Sequence, residues 1–345
     1  MSLLGGNNII GNEALRARLY SDIKSGSLAH AYIIEGKRGS GRHTLVKNII
    51  AALACSGDGD TIPCGECLNC RHVFEDKCPD VMTFSREEDR ATMGVDTIRE
   101  LKESLWAVPN DLEFKSYIIE DADTMTVQAQ NAFLLTLEQP PRFVSFFLIC
   151  ENARSLLETI RSRAPVLRTE PIPAEKISEY IRSDSFDKKL RDAARALQQS
   201  EPEEFATVLI SADGSIGRAT ELLSPRTRKP ISDRRALAMT FIESLTINGK
   251  KDHPLSLFPK FSQKRDELSL QLEYISRALR DLILLKKSEN APLCFFADRE
   301  RALDLSGSFF ERKLISVFDK ITEAKDSVER SANIRLTLID LLASV

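Results

Sequence analysis

Between Ala31 and Ile50 the chain reads as strand, glycine-rich turn and helix. The apolar run Ala31–Glu35 leads into Gly36-Lys37-Arg38-Gly39-Ser40-Gly41-Arg42-His43-Thr44, and an apolar helical pattern with Leu45, Val46, Ile49 and Ile50 follows. A working phosphate loop needs glycines so that backbone N–H groups can wrap the anion. It also needs a Lys for the β/γ oxygens and then a Ser or Thr hydroxyl for Mg²⁺. Gly36, Gly39 and Gly41 are in place, but Arg42 stands where the Lys belongs and His43 where the hydroxyl belongs, with Thr44 one place further on. A planar guanidinium does not replace a compact ammonium, and imidazole is a poor ligand for a hard cation. The loop is expected not to bind ATP productively.

The second half of such a site is an apolar strand ending in an Asp for the metal and a Glu that polarises water. The chain offers Tyr117-Ile118-Ile119-Glu120-Asp121-Ala122-Asp123, with the two acids in swapped order. Glu120 is one carbon too long for the metal role and Asp121 one carbon too short for the base. A displacement of about 1 Å at a catalytic group can cost on the order of 10²-fold in rate, so hydrolysis here is expected to be weak or absent.

From residue 9 to about 170, strand-like runs alternate with helical periodicity, the pattern of an α/β domain with a parallel sheet and crossover helices. The expected strands are Ala31–Glu35, Val81–Phe84, Ser116–Glu120, Ser145–Cys150 and Pro165–Arg168. Asn12 is read as an N-cap before a helix carrying Leu15, Leu19 and Ile23, with Gly26 ending it, and Ile98, Leu101 and Leu105 mark another helix face. Pro171–Pro173 reads as a linker into short helices, and Ser224–Pro230 as a second break before a longer helical region that includes Leu268–Lys286 and Glu311–Val328. Three domains are therefore expected: 1–170, α/β; 171–224, a small helical lid; and 225–345, α-helical.

The seven cysteines are unevenly placed: five fall between Cys55 and Cys78, while Cys150 and Cys294 stand alone in apolar sequence. Cys55, Cys64, Cys67 and Cys70 are separated by eight, two and two residues. Tight Cys-x-x-Cys turns let thiolates converge on tetrahedral Zn²⁺, and four sulfurs with no open position indicate a structural site. Cys78 is an alternative fourth ligand in place of Cys55, and His72 is read as a surface residue. A redox pair and buried apolar cysteines are the competing readings. The sequence has no export signal, no run of about eighteen apolar residues that would span a membrane, and 48 basic against 51 acidic residues. A soluble cytoplasmic protein is expected, with any DNA contact local.

Further stretches carry a resemblance. Ile10-Gly11-Asn12-Glu13, His30-Ala31-Tyr32, Pro79-Asp80-Val81, Val95-Asp96-Thr97-Ile98-Arg99-Glu100-Leu101 and Asn131-Ala132-Phe133-Leu134-Leu135-Thr136-Leu137-Glu138-Gln139-Pro140-Pro141 occur in the order found in bacterial clamp-loader subunits, members of the AAA+ ATPases. The resemblance implies an AAA+ fold, a zinc module after the P-loop helix, and a C-terminal helical collar, with Leu279-Arg280-Asp281-Leu282 and Asn333-Ile334-Arg335-Leu336 as its weaker signals. It implies that Arg163, in Thr159-Ile160-Arg161-Ser162-Arg163-Ala164, matches the family's Ser-Arg-Cys arginine finger, with Ala164 in place of Cys. In Gly214-Ser215-Ile216-Gly217-Arg218-Ala219, the sensor Arg of motor subunits aligns with Gly217 and is displaced to Arg218, which turns it by about 100° on a helix.

Together these departures imply the non-motor, delta prime type of member, with no enzyme activity of its own. The type belongs to a DNA polymerase III holoenzyme whose nucleotidyltransferase lies elsewhere. Its implied partners are gamma/tau-type ATPase subunits and a delta subunit in a hetero-pentamer, and through them the sliding clamp and primed DNA in nucleoid-associated replication machinery, with no membrane. The rival readings are an active motor of the gamma/tau type using Arg42, Thr44, Glu120 and Asp121, and a zinc-dependent adaptor unrelated to replication.

Overall fold

A computed structural model describes residues 4–5, 9–57, 61–87, 90–184, 186–246, 254–330 and 332–345. The chain divides into two compact units, residues 1–186 with 214–218, and residues 187–213 with 219–345.

The first unit is an α/β layer structure. Its elements are α1 (Glu13–Lys24), β1 (Ala31–Glu35), α2 (Arg42–Ala54), α3 (Leu68–Phe74), β2 (Val81–Phe84), α4 (Val95–Ser104), β3 (Lys115–Ile119), α5 (Val127–Glu138), β4 (Val144–Cys150), α6 (Glu158–Arg161), β5 (Val166–Arg168) and α7 (Ala174–Arg182). The five strands form one sheet in the order β2-β3-β4-β1-β5, with parallel pairing throughout. Successive side chains on a strand face opposite ways, and both faces are covered. Ile33, Tyr117, Phe146 and Leu148 pack with Leu101 and Phe133 of α4 and α5, while Ile34, Ile118, Phe147 and Ile149 pack with Leu45, Ile49 and Ile50 of α2. Near-continuous apolar strands such as Val144-Ser145-Phe146-Phe147-Leu148-Ile149-Cys150 are what a doubly covered parallel sheet requires.

All five expected strands are present, with ends shifted by one residue at β3, β4 and β5. Asn12 is the N-cap residue as expected, its carbonyl accepting the Arg16 N–H at 2.9 Å, but its backbone is left-handed with φ 54° and its side chain makes no capping bond. Its Oδ1 instead accepts from the Glu170 N–H at 2.6 Å, tying the start of α1 to the strand-end segment after β5.

The second unit is helical: α8 (Lys188–Ser200), α9 (Pro202–Ser211), most of α10 (Ile216–Leu223), α11 (Pro225–Ser244), α12 (Arg265–Lys287), α13 (Arg299–Gly307), α14 (Glu311–Glu329) and α15 (Ile334–Ser344). The expected break at Ser224–Pro230 is instead the first part of α11. Pro225 sits in the helix's first turn, where its missing N–H costs nothing, and the helix continues through Pro230. Cys294 is not in apolar surroundings: its Sγ lies 3.3 Å from Oδ1 of Asp281. Asp281 is fully buried on α12 and accepts the backbone N–H groups of Cys294, Phe295 and Phe296, while Arg235 and Arg299 donate to carbonyls of the same loop before α13.

Candidate functional site

In a parallel sheet, ligands bind beyond the carboxyl ends of the strands. Here β1 ends in the glycine turn and β3 ends at Glu120 and Asp121. Gly39 and Gly41 adopt φ of +76° and +85°, and Gly41 leads directly into α2. A Cβ on Gly36 would lie 1.9 Å from Oγ1 of Thr169, and one on Gly39 would lie 2.6 Å from Oγ of Ser215. Ser215 donates to the Arg38 carbonyl at 3.1 Å and accepts from the Arg218 N–H, and the Gly217 N–H donates to the Gly39 carbonyl at 3.0 Å. The turn is thus closed by Gly214–Arg218 from within the same unit. A Cβ at Gly217 would stand 2.9 Å from Cα of Gly39, so the position aligned with the sensor Arg has no room for a side chain.

A cavity of about 570 Å³ opens above the turn. Arg38 to Thr44, Glu120 and Asp121 line it, with Ile9, Ile10 and Tyr180 among its less polar walls. The expected loop residues and the strand-end acids therefore meet at one place. Nδ1 of His43 contacts Oε1 of Glu120 directly, although the two are 77 residues apart. Asp121 has φ 48° and lies 3.6 Å from the Arg86 guanidinium, turned to a different partner. Arg42 is 7% exposed, and its Nη1 is buried without a hydrogen-bond partner. Neither the His43–Glu120 contact nor the burial of Arg42 is legible from motif spacing, because both depend on how β3 is placed against α2.

At the other end of α2, Cys55, Cys64, Cys67 and Cys70 bring their sulfurs within 4.8 Å of one another. Zn–S bonds of about 2.3 Å in a tetrahedron imply sulfur separations near 3.8 Å, and Cys64 Sγ stands 3.9 Å from Cys70 Sγ. The four residues therefore fit a zinc ion. Backbone N–H groups of Cys64, Cys67 and Cys70 each point to a sulfur at 3.4 Å, and Asn69 ties the knuckle to the Ala54 carbonyl at the end of α2. Burial alone would raise the Cys67 thiol, but hydrogen bonds from Cys70 and Ser56 bring it down to about 6. Cys78 is buried in the apolar layer under the sheet and is outside the cluster; residues 58–60 of the expected zinc module lie outside the described residues.

Two further features fix this region. Asp80 is fully buried, and its carboxylate accepts the backbone N–H groups of Asn110, Asp111 and Leu112 at 2.7–2.8 Å. Burial would raise it, yet these donors outweigh that and hold it below the usual carboxylate range. Arg163 follows α6 and stays partly exposed, donating to Oε1 of Glu138 at 2.8 Å and to the Thr159 carbonyl at 3.0 Å. Ala164 beside it is fully buried, where a small side chain fits the core.

A family described as "DNA polymerase III, delta subunit" matches residues 11–173. The DNA polymerase III subunit delta' of Bacillus subtilis (strain 168) is 24% identical over 326 residues, 92% of this chain and 91% of that protein. The chain is thus similar to DNA polymerase III subunits along nearly its whole length. Another relative, DNA polymerase III subunit gamma of Buchnera aphidicola subsp. Acyrthosiphon pisum (strain APS), is 27% identical over 175 residues, 51% of this chain and 48% of that protein. The chain spans about half, or less, of the length of the gamma and tau relatives it matches. Among solved structures, a DNA polymerase III gamma subunit-related protein from Thermotoga maritima superposes with a TM-score of 0.45 and 20% identity, covering 95% of this chain and 97% of that one. Among the described residues no helix is long and apolar enough to cross a membrane.

Proposed function

We propose that the chain is the non-motor, delta prime type of clamp-loader subunit, which assists ATP-dependent loading of a sliding clamp onto primed DNA without hydrolysing ATP itself. The observation that carries this reading is the direct contact of His43 with Glu120. In a working site the residues at these two positions would both face Mg²⁺; here they satisfy each other. With Arg42 in place of Lys and no room for a side chain at Gly217, the groups for binding a metal-chelated triphosphate and sensing its γ-phosphate are missing. Similarity to the delta' relative along nearly the whole chain supports the same reading. A motor of the gamma/tau type is the second reading, favoured by the relatives that carry those names.

On this reading the chain takes its place in a cytoplasmic hetero-pentamer with gamma/tau-type ATPases and a delta subunit. Residues 1–170 form the AAA+ domain, 171–224 the lid and 225–345 the collar, and zinc in the four-cysteine cluster is structural. Arg163 is supplied in trans: it is exposed enough to leave Glu138, and its guanidinium would neutralise charge developing on a γ-phosphate held by a neighbour. Arginine fingers contribute on the order of 10³–10⁵ in rate in GTPases. In an assembly reconstituted with Arg163→Ala, DNA-stimulated ATP hydrolysis is expected to fall by at least about tenfold while the complex still forms; unchanged hydrolysis would overturn the finger assignment.

A further inference from the structure

Arg163 does not stand free. Its Nη2 donates to Oε1 of Glu138 at 2.8 Å, and its Nη1 donates to the carbonyl of Thr159 in α6 at 3.0 Å. The guanidinium is therefore held from within its own unit, while the Arg163 and Glu138 side chains stay 37% and 44% exposed. Glu138 is the last residue of α5, whose final turn contains no basic residue. A carboxylate there meets the negative end of the helix, a placement that does nothing for the helix itself. The cation that answers it comes from Arg163, 25 residues away.

Charge decides what this pair does. A guanidinium bonded to a carboxylate is close to neutral as a pair, whereas stabilising the charge that develops on a phosphate needs a net positive group aimed at it. Carboxylate and phosphate oxygens are also acceptors of the same sign, so they compete for the same donors. A partly exposed ion pair shifts an equilibrium by no more than about fivefold. It is strong enough to set the resting place of Arg163 and weak enough for a multiply charged phosphate to displace.

We infer that Glu138 is a positioning residue that holds Arg163 back from a neighbour's nucleotide until phosphate oxygens displace its carboxylate, so that the ion pair lowers the rate of hydrolysis the assembly reaches. This rests on the proposed role of Arg163 in trans and deepens it by naming the group that restrains the finger. The opposite role, in which Glu138 orients Arg163 while it acts, would require the finger to keep its carboxylate. That would cancel the charge on which its contribution depends.

The test is single-turnover ATP hydrolysis by the assembly reconstituted on primed DNA with a saturating amount of the full-length, zinc-loaded chain. Glu138→Gln removes the charge and keeps the size; it is expected to raise the rate by about twofold to fivefold, with zinc content, circular dichroism and assembly unchanged. Glu138→Ala serves in its place if the Gln variant does not join the assembly. Combined with Arg163→Ala, the Glu138 substitution is expected to add nothing, a dependence that a merely structural role of Glu138 would not show. An unchanged rate would overturn the inference, and a lower one would do so by making Glu138 a group that orients the finger. A rise that persists beside Arg163→Ala would overturn it as well, since Glu138 would then act through something else. The two readings fail differently. Wild-type hydrolysis in Arg163→Ala alone removes the finger and this inference with it, whereas a loss in Arg163→Ala without a rise in the Glu138 variant removes this inference alone.

Discussion

Helix α2 begins at the glycine turn and ends at Cys55, and the two sites it joins have kept different things. At its start the backbone of a phosphate loop persists: the left-handed glycines, the tight closure by Ser215 and Gly217, and the cavity above. Among its side chains, His43 contacts Glu120 and Arg42 is buried. At its end, the side chains themselves are the structure. Four thiols converge at zinc-compatible spacing. The contrast separates two kinds of constraint. A loop shaped by glycine φ angles and close backbone packing holds its form whatever side chains surround it, whereas a metal knuckle has no form apart from its ligands.

The largest effect is therefore expected at the cysteines. Cys70→Ser, or chelation, should remove zinc and lower the melting temperature of the first unit by roughly 10 °C, the equivalent of about 3–5 kcal/mol. Metal analysis alongside calorimetry checks this, and full zinc content in Cys70→Ser would break the contrast. Next comes Asp80, just after the cysteines in sequence, whose carboxylate accepts three backbone N–H groups from Asn110–Leu112. Asp80→Ala is expected to cost about 3 kcal/mol in urea denaturation, since it strands three N–H groups.

The pH dependence has a definite sign. The folded-state pKa of Asp80 lies below its unfolded value, so its contribution is complete at neutral pH. It is lost as pH falls through the carboxylate range toward the lowered folded value. Asp80→Asn should be less stable at neutral pH and show a flatter acid limb; a limb as steep as the wild type's would remove Asp80 from the account.

A smaller effect probes the glycine turn. Gly39→Ala forces a side chain into φ +76° and against Ser215, and should cost about 1–2 kcal/mol without altering zinc content. No cost would show that the turn's form does not depend on the glycine. The smallest effect on stability is expected at Glu138. Its pair with Arg163 is partly exposed on both sides, so Glu138→Ala should change the stability of the isolated chain by less than about 1 kcal/mol. A larger loss would mean that the pair is structural, which would weaken the case for Arg163 as a residue free to serve a neighbour.

Much of the fold was legible because the strands are continuous apolar runs between glycine and proline signals. Two of the misses, the Asn12 side chain and Cys294, share one cause, long-range placement overriding a local signal, while the third, at Pro225, is local. The Asn12 side chain looks like a capping group but is drawn to Glu170, 158 residues away. Pro225 looks like a break because proline ends helices and also starts them. Cys294 looks buried among apolar residues until Asp281, on the helix before it, is folded against it.

The site divides in the same way. Cysteine spacing announced the metal cluster, and the glycines announced the turn. The partnership of His43 with Glu120 required the sheet order to bring β3 beside β4 and the end of β3 toward α2. The same holds for Glu138 and Arg163, which lie 25 residues apart.

The central claim is that the glycine turn has kept its shape without its reaction. Its most direct test is ATP hydrolysis by the isolated, zinc-loaded chain with saturating magnesium, compared with a Glu120→Gln variant. The account predicts no turnover above the blank in either protein. Turnover in the wild type that disappears in Glu120→Gln would contradict it and identify the chain as a motor.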